Sequence, residues 1–89
     1  MIIVSQDRDK IVNFDNLVQV YITQDEEEKA NFIRCETIDS LYDDLGKYKT
    51  EERAKEVLQE IITRHGNWEN MKVGQPSGIC SPVYEMPED

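Results

Sequence analysis

The chain has 89 residues, 33% of them charged and 38% apolar, with a mean hydropathy of −0.67. Nineteen acidic residues against ten basic ones leave a formal charge of −9, which argues against direct contact with DNA, RNA or an anionic membrane, because those partners are held by clustered Lys and Arg. The length suits one domain with a small core. No signal peptide or membrane span is expected, and two cysteines, Cys35 and Cys80, are too few for a disulfide scaffold, so a reduced, cytoplasmic protein is expected.

Residues 1–48 read as strands. Ile2, Ile3 and Val4 form a short β-branched run, and Gln6-Asp7-Arg8-Asp9 makes a polar turn after it. Lys10 to Phe14 is a second short run, broken by Asp15-Asn16. Leu17 to Thr23 is the clearest strand, with Val18, Val20 and Ile22 on one face and Leu17, Gln19 and Tyr21 on the other. Gln24 to Lys29 carries four consecutive acids, Asp25, Glu26, Glu27 and Glu28, and reads as an exposed hairpin loop. Ala30 to Ile38 is the next strand. Ile33 and Cys35 share one of its faces, and Phe32, Arg34 and Glu36 the other. Leu41 to Tyr48 is the last of this set, weakened or bulged by Asp43-Asp44 and Gly46.

A helix follows over 50–65. Ala54, Val57, Leu58, Ile61 and Ile62 fall at i, i+3, i+4, i+7 and i+8, the spacing of one buried stripe, and His65 continues it. Thr50 suits the N-cap. Glu51 and Glu52 in the first turn and Arg64 and His65 in the last complement the helix dipole. Glu51–Lys55 and Glu60–Arg64 are i,i+4 pairs, worth about 0.3 kcal/mol each, and Gly66 provides a left-handed stop. Residues 67–89 read as an irregular tail holding Gly74, Pro76 and Gly78. Trp68 packs back over the helix end in this reading, and Pro82 to Pro87 provides a short edge strand bounded by prolines. Strands first and a helix afterwards imply an α+β domain over 1–89: an antiparallel meander of about four to five strands packed on one C-terminal helix. Val18, Val20, Ile22, Ile33 and Tyr48 would face the helix stripe across the core.

No catalytic, cofactor or metal site emerges from the residues. Asp7-x-Asp9 opens like a calcium loop, but Ile11 and Val18 stand where oxygen ligands are required. His65 is the only histidine and has no neighbouring Cys, contrary to the usual zinc spacing. The four glycines are too scattered for a phosphate loop. The residues offered for contact with another molecule are the acidic loop Asp25, Glu26, Glu27 and Glu28, together with Trp68 and Tyr84.

Three segments, IIVSQDxDKIVNFDN at the start, LGKYKTEERAKEVLQEI at the strand–helix junction and YxMP near the end, resemble a group of small uncharacterised proteins of Gram-positive bacteria and their phages. The resemblance implies a small sheet on one C-terminal helix, similar to a pleckstrin-homology-like half barrel, and brings no catalytic residue. The leading expectation is a phage-derived, non-enzymatic protein–protein interaction module whose partner is an unknown protein, with no cofactor and no direct nucleic-acid or membrane contact. A homodimer through an exposed sheet edge is compatible with it. The alternatives are an acidic decoy occupying the site of a nucleic-acid-binding host defence protein, and a small enzyme or metal protein in which Cys35 or Cys80 meets His65.

Overall fold

The computed structural model describes residues 1–74 and 83–89, with the side chains of residues 67–74 outside that description. The described residues form an α+β fold in the order β1 (Ile2–Val4), β2 (Ile11–Asn13), a 3-10 turn (Phe14–Asn16), β3 (Leu17–Asp25), β4 (Ala30–Thr37), β5 (Tyr42–Tyr48), α1 (Glu51–Gly74) and β6 (Val83–Glu85). Two three-stranded sheets result, ordered β2-β1-β6 and β3-β4-β5. The second is the expected antiparallel meander, and α1 packs against it. In the first sheet β1 pairs antiparallel with β2 and parallel with β6, so the strand expected between Pro82 and Pro87 lies beside the first strand of the chain.

The core joins Met1 and Ile3, Ile33 and Cys35 of β4, Leu45 and Tyr48 of β5, Ala54, Val57 and Ile61 of α1, and Tyr84 and Met86. Two local irregularities decide which residues enter it. Between Leu17 and Gln19 the β3–β4 register slips, leaving Val18 as the extra residue of a bulge. The alternation resets there. Val20 and Ile22 pack on the core with Leu17, which was expected on the opposite face, and Val18, expected beside Val20 and Ile22, is 64% exposed. The β4–β5 register slips between Ile33 and Arg34, where Gly46 and Asp44 are the successive partners. Leu45 is the additional residue there, and it turns into the core.

Gly46 also meets a steric demand. A Cβ on it would lie 2.8 Å from the Tyr48 hydroxyl and 2.9 Å from Cε2 of the same ring. That ring is buried, and its hydroxyl donates to the Pro87 carbonyl at 2.9 Å. Each hairpin turn contains one non-glycine residue at positive φ, namely Arg8, Lys29 and Ser40.

The helix starts as expected. Thr50 caps it, its Oγ1 accepting the Arg53 N–H at 3.0 Å, and Glu51 pairs with Lys55 at 3.2 Å. Its far end differs, because α1 continues through Gly66 to Gly74. Gly66 has open space around it, and glycine inside an exposed helical turn costs only about 1 kcal/mol relative to Ala, so it does not stop the helix. The tail expected over 67–89 is therefore helical at its start. Trp68 falls on α1, but its side chain lies outside the described residues, as does Cys80. The buried seam of α1 is narrower than the predicted stripe: Ala54, Val57 and Ile61 are fully buried, Leu58 is half-buried and Ile62 mostly exposed. The seam follows a single ridge at i, i+3 and i+7, and Ile62 lies about 100° around the helix from Ile61. Glu60 and Arg64 do not pair. Tyr84 OH donates to Glu60 Oε2 at 2.7 Å, and Arg64 donates to the Val83 carbonyl at 3.3 Å.

Gly46→Ala should destabilise the fold by about 1–3 kcal/mol, since the Tyr48 ring must give up its packing. The expected readout is a lower denaturant midpoint at unchanged m-value, and an unchanged midpoint would contradict the close approach.

Candidate functional site

The outer face of the β3-β4-β5 sheet is built in cross-strand rows. Register places Thr23, Phe32 and Lys47 in one row, Tyr21, Arg34 and Asp44 in the next, and Gln19, Glu36 and Tyr42 in the third. These are alternate residues of β4 whose neighbours Ile33 and Cys35 are buried, so the pleat turns the rows outward. Arg34 Nε donates to Asp44 Oδ1 at 2.7 Å, and its guanidinium carbon lies 4.7 Å from the centre of the Tyr42 ring. The Asp44 contact raises the Arg34 pKa further. Lys47 sits 5.9 Å from the centre of the Phe32 ring and 3.1 Å from Glu28. Both cations of this face are thus held by a ring and a carboxylate.

Beyond the third row the face becomes apolar. The β4–β5 turn closes with the Thr37 N–H donating to the Leu41 carbonyl at 2.8 Å. Ile38 and Leu41 stand in that turn, 83% and 68% exposed. Tyr42 is 63% exposed and starts β5, and the bulge residue Val18 lies at the same end of the sheet. These four exposed apolar residues lie at the end of the sheet where β3 begins, β4 ends and β5 begins.

The acidic loop lies at the opposite end. Asp25 Oδ1 accepts the backbone N–H groups of Glu27 (2.9 Å) and Glu28 (3.3 Å), so Asp25 shapes the turn. Glu28 is committed to Lys47, while Glu26 and Glu27 are exposed. Tyr84 is buried and bonded to Glu60, so it belongs to the packing of β6 on α1. Further carboxylates occupy the β1–β2 turn, the outer side of α1 and the C-terminal segment.

The β1–β2 turn is organised by Ser5, which is fully buried. Its Oγ lies 2.7 Å from Asp7 Oδ1 and 3.2 Å from Asp9 Oδ1, and it accepts the Lys10 N–H at 3.3 Å. Hydrogen bonding from the Asp9 side chain, and then from Ser5, holds the Asp7 carboxyl down at about 2. No group of three or more His, Cys, Asp or Glu side chains that could hold a metal occurs among the described residues. Cys35 is buried opposite Asp43 on β5, and burial pushes its thiol pKa up, which disfavours the thiolate. His65 packs on Phe14, the ring centres 4.5 Å apart. No helix among the described residues is long and apolar enough to cross a membrane.

The apolar end of the sheet was not legible beforehand. Ile38 and Leu41 bracket a turn, and Val18 sits in an alternating run that points it inward unless the bulge is known. Comparison with family models, with curated proteins and with solved structures gives no match.

The two buried phenols make stability sensitive to alkali. Burial pushes Tyr48 up to about 12, against an ordinary value of 10.0. Burial, and then the hydrogen bond to Glu60, pushes Tyr84 up as well. A phenol with a raised folded-state pKa contributes stability that is complete below its unfolded value and lost as pH rises through the folded one. Urea midpoints should therefore fall between about pH 10 and about pH 12. A Tyr48→Phe/Tyr84→Phe variant should show a shallower slope over that window, and an equally steep slope would reject the assignment.

Proposed function

We propose that the chain is a non-enzymatic protein–protein interaction module that docks its partner on the exposed end of the β3-β4-β5 sheet. The observation that carries this reading is that Val18, Ile38, Leu41 and Tyr42 are all exposed at the same end of one sheet. Scattered apolar side chains are ordinary on a surface, but a contiguous group rimmed by polar residues is the usual form of a protein-binding patch. Its rim is already ordered: Arg34 is fixed by Asp44 and stacked on Tyr42, so docking there costs little side-chain entropy, and Tyr and Arg are the residue types that most often anchor interfaces. The reading calls for no cofactor. The resemblance of the first, middle and last segments to small proteins of Gram-positive bacteria and their phages supports a phage-derived setting, in which the partner is a host protein in the cytoplasm. An acidic decoy is less favoured, because the carboxylates are shared among the loop, the first turn, the outer side of α1 and the C-terminal segment.

The test is an Ile38→Asp/Leu41→Asp variant. Both side chains already lie in water, so the melting temperature should stay close to that of the parent chain. Affinity capture from the host lysate should recover a protein with the parent chain, and the variant should lose at least about tenfold of it, as truncating an interface anchor does. Equal recovery by both chains, or no recovery by the folded parent, would overturn the proposal.

A further inference from the structure

We infer that the free edge of β3 is a dimerisation edge and that its occupant is a second copy of this chain. Other sheet edges among the described residues are short or covered. β2 and β6 have three residues each, and Arg64 reaches the Val83 carbonyl at the β6 edge. The outer edge of β5 is occupied by Gln6, whose N–H donates to the Leu45 carbonyl and whose Oε1 accepts the Lys47 N–H, both at 2.8 Å. β3 differs. It is nine residues long and pairs only with β4. Apart from its ladder with β4, no hydrogen bond among the described residues reaches its main chain between Val18 and Asp25. An edge of this length is a template for another strand, and natural edges that stay single are blunted with Lys, Pro or inward-pointing charge. From Leu17 to Gln24 β3 has no proline and no Asp, Glu, Lys or Arg, in a chain that is 33% charged. Its one bulge lies at the Val18 end and leaves Gln19 to Asp25 regular.

The neutrality of this strand selects a second copy over another partner. A foreign strand could match any charge pattern on the edge, whereas self-pairing about a two-fold axis brings each residue against itself or a near neighbour. Like charges placed directly opposite are destabilising. Antiparallel pairing centred on Tyr21 sets Tyr21 against Tyr21, Thr23 against Gln19 and Ile22 against Val20 of the second copy. Each outward residue meets an outward one and each inward residue an inward one. The two meanders then form one antiparallel sheet with β3 at its centre. The acidic loops fall at opposite ends of the paired strands, which keeps their charges apart. Each chain still carries −9, so residual repulsion opposes the dimer and added salt screens it. The dimer should therefore tighten as NaCl rises, opposite to the response of a complex with a basic peptide.

Sedimentation equilibrium of the full chain over a concentration series tests this. The expected mass rises towards twice 10.4 kDa, with a smaller dissociation constant at high salt. A Gln19→Lys/Thr23→Lys variant places lysines opposite each other twice across the axis and should raise the dissociation constant about tenfold. Gln19→Lys alone faces Glu36 within its own sheet, so it tests the fold and should stay folded with a smaller effect. Mixing the double-Lys chain with a Gln19→Glu/Thr23→Glu chain should restore a mixed dimer. A monomer at every concentration and salt, a dimer indifferent to the double-Lys change, or failure of the mixed pair to associate would each overturn the inference. The Ile38 and Leu41 changes lie outside this pairing, so loss of partner capture and loss of dimer report separately.

Discussion

The structure depends on the side chain of Gln6. The amide stands at the end of β1, where two small sheets and the C-terminal segment meet. Its Oε1 accepts from Lys47 on β5, and its Nε2 lies within hydrogen-bond reach of the carbonyls of Lys47, Pro87 and Glu88. The backbone of the same residue donates to Leu45. A three-stranded sheet needs an apolar face that something covers, and neither sheet here is larger. Joining them around one set of apolar side chains lets Met1, Ile3, Tyr84 and Met86 share a core with Ile33, Leu45 and the helix. A side chain with both donor and acceptor ends suits that junction, since Lys47 offers an N–H there and Lys47, Pro87 and Glu88 offer carbonyls.

Much of the architecture was legible in the sequence because the relevant signals are local. The strand runs, the polar turns between them, the Thr50 cap and the apolar spacing of α1 each follow from neighbouring residues, and the α+β order follows from their succession. What could not be read is non-local. The parallel partnership of β6 with β1 needs the two ends of the chain brought together, and no short motif encodes that. The phase of β3 was misread at Val18 because alternation continues unbroken in the text, while the bulge that resets it arises from pairing with β4. Gly66 misled in the opposite sense. A glycine near the end of an apolar stripe is a common stop, yet here it has open space around it and the helix continues.

The candidate surface shows the same division. The acidic loop was obvious as a charge run, but Asp25 and Glu28 are occupied in shaping the turn and holding Lys47. Tyr84, offered as a contact residue, is part of the packing between β6 and α1. Three of the exposed apolar residues flank one turn, and only register brings Val18 to the same end of the sheet. The rows of Phe32 with Lys47 and Arg34 with Tyr42 likewise exist only across strands. Composition indicated an acidic chain, while the surface features that distinguish one end of the sheet from the other are mainly aromatic and aliphatic.

The β1–β6 ladder also constrains the order of assembly. Gln6 and Pro87, which bond just beyond its end, stand 81 positions apart, so β1 must wait for β6. The meander and the first turns of α1 rely on near neighbours and can form while Tyr84 and Met86 are still unmade. During synthesis Met1 and Ile3 then lack Tyr84 and Met86, and the core closes only once those residues are made. Contacts this distant slow folding.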